Sequence, residues 1–315
     1  MAFETLLGND RLKDNLTSSL KKGRISHFYL ISGPQGSGKH TLAKLLSAAI
    51  LCQDAHAPCG KCNVCRKVKE GSHPDVITVD DPEHKTVAVK LVRQAREDMY
   101  ILPNESDHKI YIFPQELGIE GQNALLKILE EPPKYGVFML LSNNPEQLLP
   151  TVRSRCTELA LSALPESILT RELSREFPDA AAEALTAAAV RSGGYLGQAR
   201  ALMEQGTALP PQTEQFLAAF AEKNALELTK LFAALEKTKR DQLIPLLEGW
   251  TSLLEEALAC RSGMRALHPM TKVLAAQRSS QELMQAISSL QKTIAYAQSN
   301  VSPAAICGYL TWQLK

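Results

Sequence analysis

The sequence predicts an α/β protein, a parallel sheet with helices on both faces, followed by chain that stays helical to its end. Three observations carry this. A short apolar run passes through a glycine-rich turn into a helix at 28–44, FYLISGPQGSGKHTLAK. Further apolar runs alternate with helix-periodic stretches up to about residue 164, the pattern of a parallel sheet built from βαβ units. Beyond Pro165 no strand pattern recurs, and alanine- and leucine-rich helices take over.

The bulk figures set the class. The chain has 315 residues, 44% hydrophobic and 22% charged, with a formal net charge of +1. Such values belong to an ordinary globular protein of two or three domains. The near-neutral balance speaks against a broadly basic nucleic-acid-binding surface. The N-terminal MAFETLLGNDRLKDNL is charged and amphipathic, unlike a signal peptide, and no run approaches the ~18 apolar residues of a membrane helix. A cytoplasmic protein without membrane partners is expected, and its seven cysteines are then thiols or metal ligands.

Taken in order, residues 5–22 read as one helix, with Leu6, Leu7, Leu12, Leu16 and Leu20 at helical spacing. His27, at the start of the first strand, reads as structural, with a nucleotide-base contact as the alternative. Gly33, Gly36 and Gly38 then let backbone N–H groups converge on an anion at a helix N-terminus, and Lys39 is placed to reach the β and γ phosphates. A working site has Ser or Thr after this lysine to bind Mg²⁺. Here the residue is His40, and Thr41 one position on is rotated by about 100° around the helix.

Cys52, Cys59, Cys62 and Cys65 follow within fourteen residues, bent by Pro58 and Gly60. Four thiolates at this spacing fit one tetrahedral Zn²⁺. An iron–sulfur centre, or His56 in place of Cys52, is the alternative. A closed Cys₄ set has no open position, which makes the metal structural. Asp75–Asp80 reads as the second strand, Val87–Met99 as a helix and Lys109–Phe113 as the third strand. An ATPase needs Asp-Glu at the end of that strand; this chain has Pro114 and Gln115, with Glu116 beyond the proline and off register. A helix over Asn123–Glu131, a strand within Tyr135–Ser142, the segment LLPTVRSRC (148–156) and a fifth strand over Thr157–Leu161 complete this region.

GRISHFYLISGPQGSGK, CGKCNVC, NALLKILEEPP and LLPTVRSRC stand in the order and spacing of bacterial clamp-loader AAA+ subunits, and Ser154-Arg155-Cys156 matches that family's signature. The chain resembles this family and, within it, the delta-prime subunits of DNA polymerase III, well over residues 1 to about 205 and only in length and helical character beyond. The resemblance implies an AAA+ P-loop domain over 1–164 carrying the Cys₄ module (52–65), a helical lid over 165–207 and an all-α collar over 208–315 that joins subunits in a ring. It also gives the degenerate positions a meaning, because delta-prime subunits commonly lose the Mg²⁺-binding hydroxyl and the Asp-Glu pair that gamma and tau retain. The lid's sensor-2 arginine position holds Gln198, with Arg200 two residues on.

The implied protein is a non-hydrolysing loader subunit. ATP and Mg²⁺ are not bound productively, and Arg155 serves as a finger for a neighbouring ATPase, with Arg153 the local competitor. The partners implied are gamma/tau ATPase subunits, a delta subunit, the sliding clamp and primed DNA. Two other readings stand beside it: an active ATPase using Thr41 and Glu116, and a zinc-dependent nucleic-acid-binding module using Lys61, Arg66, Lys67 and Lys69. The helices expected after the lid are Glu214–Glu222, Leu226–Lys237, Arg240–Arg261, Ala266–Gln277, Glu282–Asn300 and Pro303–Leu314, with Cys260, Cys307 and Met270 in their core.

Overall fold

A computed structural model describes residues 3, 5–84, 86–205, 209–263, 268–299 and 301–314. The chain divides into two compact units, Met1–Glu204 and Gln205–Lys315. Among the described residues no helix is long and apolar enough to cross a membrane.

The first unit opens with α1 (Asp10–Lys21). The helix expected from residue 5 begins five residues later because Gly8 and Asn9 both adopt left-handed backbone, φ 53° and 55°. The Asn9 side chain instead accepts hydrogen bonds from the backbone N–H and hydroxyl of Ser162, at 2.9 Å each. Then follow β1 (Phe28–Ser32), α2 (Lys39–Leu51), α3 (Asn63–Glu70), β2 (Val76–Thr78), α4 (Val89–Asp98) and β3 (Lys109–Phe113). The unit continues with α5 (Ile119–Glu130), β4 (Gly136–Ser142), α6 (Pro150–Arg153) and β5 (Thr157–Ala160).

The five strands form one sheet in the order β2-β3-β4-β1-β5, and every pairing is parallel. All residues of β1, β3 and β4 are buried. Alternate side chains serve opposite faces. Tyr29, Ile31, Ile110, Ile112, Met139 and Leu141 pack with α2 and α3 residues such as Leu46 and Val68. Phe28, Leu30, Tyr111, Phe113, Phe138 and Leu140 pack with Val92 of α4 and Leu125 and Ile128 of α5. Burial on both faces explains why these strands read as unbroken apolar runs. Phe28 and Phe138 stack at 4.7 Å between ring centroids.

The second strand is shorter than expected, because Asp75, Val79 and Asp80 are not part of it. Asp75 is fully buried, and its carboxylate accepts backbone N–H groups from Asn104, Glu105 and Ser106 at 2.5, 2.8 and 2.9 Å and the Asn104 amide at 3.1 Å. It anchors the α4–β3 loop. The Nδ1–H of His27 donates to the Gly136 carbonyl at 2.8 Å, a tie between strand starts.

Three further helices, α7 (Glu166–Glu176), α8 (Ala182–Arg191) and α9 (Leu196–Gln205), gather around their own small core of Leu169, Leu173, Leu185 and Ala199. The second unit comprises α10 (Pro211–Ala221), α11 (Ala225–Leu235), α12 (Arg240–Arg261), α13 (Pro269–Gln277), α14 (Ser280–Gln298) and α15 (Pro303–Gln313). The expected start at Ala266, the expected end at Asn300 and residues 206–208 of the inter-unit linker lie outside the described residues. Trp250 is fully buried at the centre, stacked 4.1 Å from Phe216, with its indole N–H on Thr213. Cys307 is buried in this core and Met270 packs against it, whereas Cys260 is only half-buried.

Candidate functional site

The glycine-rich turn sits at the C-terminal end of β1, with the end of β4 beside it. Gly33, Gly36 and Gly38 take φ of 154°, 78° and 97°, a region that side chains disfavour, so the tight loop requires glycine at all three. The sequence places Lys39 over a phosphate. In the structure its ammonium is turned into the loop and holds three acceptors: the Gly33 carbonyl at 2.6 Å, the Pro34 carbonyl at 2.9 Å and Asn143 Oδ1 at 2.8 Å. An ammonium has three N–H donors, and all three are engaged. Burial pulls the lysine below its usual pKa, against the opposing charge of Glu116.

The loop tip is covered as well. Gly197, at the start of α9, donates its N–H to the Gly36 carbonyl at 3.0 Å, and Gln198 Nε2 donates to the Gln35 carbonyl at 3.0 Å. The approach is so close that a Cβ on Gly36 would lie 2.6 Å from the Gln198 nitrogen, and one on Gly197 would lie 2.6 Å from the Gly36 Cα. Gln198 therefore acts as a backbone tie. The Arg200 guanidinium pairs with both oxygens of Glu176 on α7.

Burial, with the charges of Lys39 and Lys44, holds the His40 ring below its ordinary pKa, and Thr41 is exposed. Gln115 is turned away from the loop and clamps the preceding one: its Oε1 accepts from the Asp81 N–H, and its Nε2 donates to the carbonyls of Asp81 and His84. Glu116 departs from the sequence reading. Its Oε1 accepts from the Ser142 hydroxyl at 2.9 Å and the Asn143 N–H at 2.8 Å, which brings the carboxylate to the end of β4 next to the residue that holds Lys39. Asn143 was not singled out in sequence as part of this site.

Arg155 lies at the C-terminal side of α6. Its guanidinium donates to the Thr151 carbonyl at 2.9 Å and to Glu130 Oε1 at 3.1 Å. Arg153 is held by two carboxylates, Glu146 at 2.6 Å and Glu158 at 3.4 Å. The Cys156 thiol points back to the Val152 carbonyl, and burial pushes its pKa up to about 11.

The sulfurs of Cys52, Cys59, Cys62 and Cys65 all lie within 4.8 Å of one another. Cys52 caps the end of α2, Cys62 caps the start of α3, and Cys65 lies in α3's first turn, so two packed helices fix the cluster. Sulfur–sulfur distances of 3.9 Å (Cys52–Cys62) and 4.0 Å (Cys59–Cys65) come close to the ~3.8 Å edge of a tetrahedron with Zn–S bonds of about 2.3 Å. Backbone N–H groups of Cys62 and Cys65 point at the sulfurs of Cys59 and Cys62 at 3.4 Å, a contact that favours thiolates. The N–H groups of Lys61 and Cys62 pull the Cys59 pKa down to about 7, while burial raises those of Cys52 and Cys65. The cluster can hold a metal ion. His56 stays outside it, exposed and 3.7 Å from Asp54.

These features describe a parallel α/β sheet with a glycine-rich phosphate-loop motif and, apart from it, a four-cysteine cluster that could hold a metal ion. The family model described as "DNA polymerase III, delta subunit" matches residues 8–165. The chain belongs to that family, within the clamp-loader AAA+ proteins. It is 37% identical over 187 residues to DNA polymerase III subunit delta' of Pseudomonas aeruginosa, a match covering 58% of this chain and 57% of that one. Against DNA polymerase III subunit tau of Bacillus subtilis it is 35% identical over 158 residues, 49% of this chain and 28% of the relative. The matched stretch is thus less than two thirds of either relative's length. Among solved structures, a gamma subunit-related protein of Thermotoga maritima aligns over 96% of this chain and 99% of its own at 18% identity and a TM-score of 0.41.

Proposed function

We propose that the chain is a subunit of the replicative sliding-clamp loader of bacterial DNA polymerase III that does not hydrolyse ATP and lends Arg155 to a neighbouring ATPase. The observation that carries this is the self-occupied phosphate loop. Lys39 spends its three donors on Gly33, Pro34 and Asn143, and Gly36 is pressed against the backbone of Gly197. A nucleotide would have to displace both, without a hydroxyl after the lysine to bind Mg²⁺ or an Asp-Glu pair after β3.

In this reading residues 1–164 form the AAA+ domain, 165–207 its lid and 208–315 the collar of a cytoplasmic ring. The ring contains gamma/tau-type ATPases and a delta subunit and acts on the clamp and primed DNA. A guanidinium supplied in trans stabilises charge on the transferring phosphoryl group and is worth ~10³–10⁵ in rate. Arg155 suits that task better than Arg153, because Arg153 is already bracketed by two carboxylates. The metal at Cys52, Cys59, Cys62 and Cys65 is read as structural Zn²⁺, a cross-link between α2 and α3 that leaves no open coordination position.

Glu116 supports a second reading, an active ATPase, because its carboxylate reaches the end of β4 beside the loop. Its hydrogen bonds there are to the strand end, which favours a structural tie. In a reconstituted loader, Arg155→Ala should preserve assembly and abolish most DNA- and clamp-stimulated ATP turnover. Unchanged turnover would remove Arg155 from the role.

A further inference from the structure

We infer that Glu130 is a positioning residue for Arg155, setting the guanidinium in the orientation it presents to a neighbouring subunit. This rests on the reading of Arg155 as the donated finger. Glu130 ends α5, directly before the Glu131-Pro132-Pro133 stop, and Arg155 follows α6. Two contacts fix the guanidinium, one from each element: Glu130 Oε1 takes an N–H from one terminal nitrogen at 3.1 Å, and the Thr151 carbonyl takes one from the other at 2.9 Å.

A planar group held at both terminal nitrogens has its plane set. Of the five N–H donors of arginine, the Nε–H and one on each terminal nitrogen have no partner among the described residues. They remain for an incoming phosphate. Arg155 is 38% exposed and Glu130 58%, so the pair sits at the surface, where a partner can reach it. The two residues come from different elements whose relation is fixed independently. Gln122 of α5 is buried, accepts the Leu149 N–H at 2.7 Å and donates to the Gln147 carbonyl at 3.3 Å. The turn that carries Arg155 is therefore seated against the helix that carries Glu130, and the ion pair aims a side chain whose backbone is already placed. Pre-organisation of this kind acts on the rate of the chemical step and leaves substrate affinity alone.

The test uses the reconstituted loader with full-length subunits, and compares Glu130→Ala, Glu130→Gln, Arg155→Ala and the double variant Glu130→Ala/Arg155→Ala. Glu130→Ala should lower kcat for ATP by about fivefold, the most an exposed ion pair of this strength allows, with KM for ATP unchanged. Glu130→Gln keeps an oxygen that accepts the same N–H and should recover most of the rate. The double variant should turn over like Arg155→Ala alone, since a residue acting through Arg155 has nothing left to act on. Wild-type turnover in Glu130→Ala, or a loss that multiplies the loss from Arg155→Ala, would overturn the assignment. Wild-type turnover in Arg155→Ala would instead overturn the finger reading beneath it.

Discussion

Replacing Gly197 with alanine tests the seam between α9 and the phosphate loop by setting two known effects against each other. Gly197 lies in the first turn of α9, where alanine is intrinsically favoured over glycine by about 0.5–1 kcal/mol. In the folded chain its new methyl would stand 2.6 Å from the Gly36 Cα and 2.9 Å from the Gly36 oxygen, both backbone atoms that cannot swing aside. Overpacking of this kind costs about 1–3 kcal/mol, so the seam wins and the variant should be destabilised by roughly 1 kcal/mol. Gly308 supplies the control. It lies within α15, and a Cβ there would meet nothing within 4 Å, so Gly308→Ala should stabilise the second unit by about 0.5–1 kcal/mol. Both tryptophans, Trp250 and Trp312, lie in the second unit, so urea unfolding followed by tryptophan fluorescence reads that unit alone and circular dichroism reads both. Gly197→Ala should shift the dichroism transition to lower urea and leave the fluorescence transition in place. A Gly197→Ala protein stabilised as much as Gly308→Ala would mean that α9 does not press on the loop and that the loop is not closed over.

Two other outcomes follow from particular contacts. Burial pushes the Asp75 pKa up, but the N–H groups of Asn104, Glu105 and Ser106 more than reverse this and hold it below the ordinary carboxylate value. Its stabilising contribution is therefore complete above the unfolded-state pKa of about 3.9 and is lost only as pH falls through the lower folded value. Asp75→Ala, which leaves those three N–H groups without their acceptor, should cost roughly 3 kcal/mol or more at neutral pH and remove this acid-dependent component; an unchanged urea midpoint would contradict the anchor. Cys62→Ser removes one of the four sulfurs and should lower both the zinc content of the purified protein and its thermal midpoint, while full metal retention would refute the ligand set.

The sheet was legible because burial on both faces leaves a plain trace: Phe28–Ile31, Lys109–Phe113 and Val137–Leu141 are apolar or nearly so from end to end. The cysteine cluster was legible from spacing alone, although the helix α3 that carries Cys65 was not foreseen. The helix α5 starts earlier than expected, at Ile119, because Gly118 caps it from an extended conformation. Long-range polar contacts were not legible. Nothing near Lys39 in sequence announces Asn143, and nothing near Gly36 announces Gly197, because each pair meets only when the sheet brings β1 beside β4 and the helices after β5 fold back. The reach of Glu116 was hidden for a related reason. Pro114 does put it past the strand end, but a glutamate's length lets its carboxylate return to Ser142 and Asn143.

ATP binding and Mg²⁺-dependent turnover by the purified chain decide whether this P-loop still works as one. A non-hydrolysing subunit with its loop occupied by its own chain should show no turnover and weak or absent nucleotide binding, with Lys39→Ala changing neither. Robust turnover that disappears in Lys39→Ala would contradict this, and would make Thr41 or Glu116 a working part of an active ATPase.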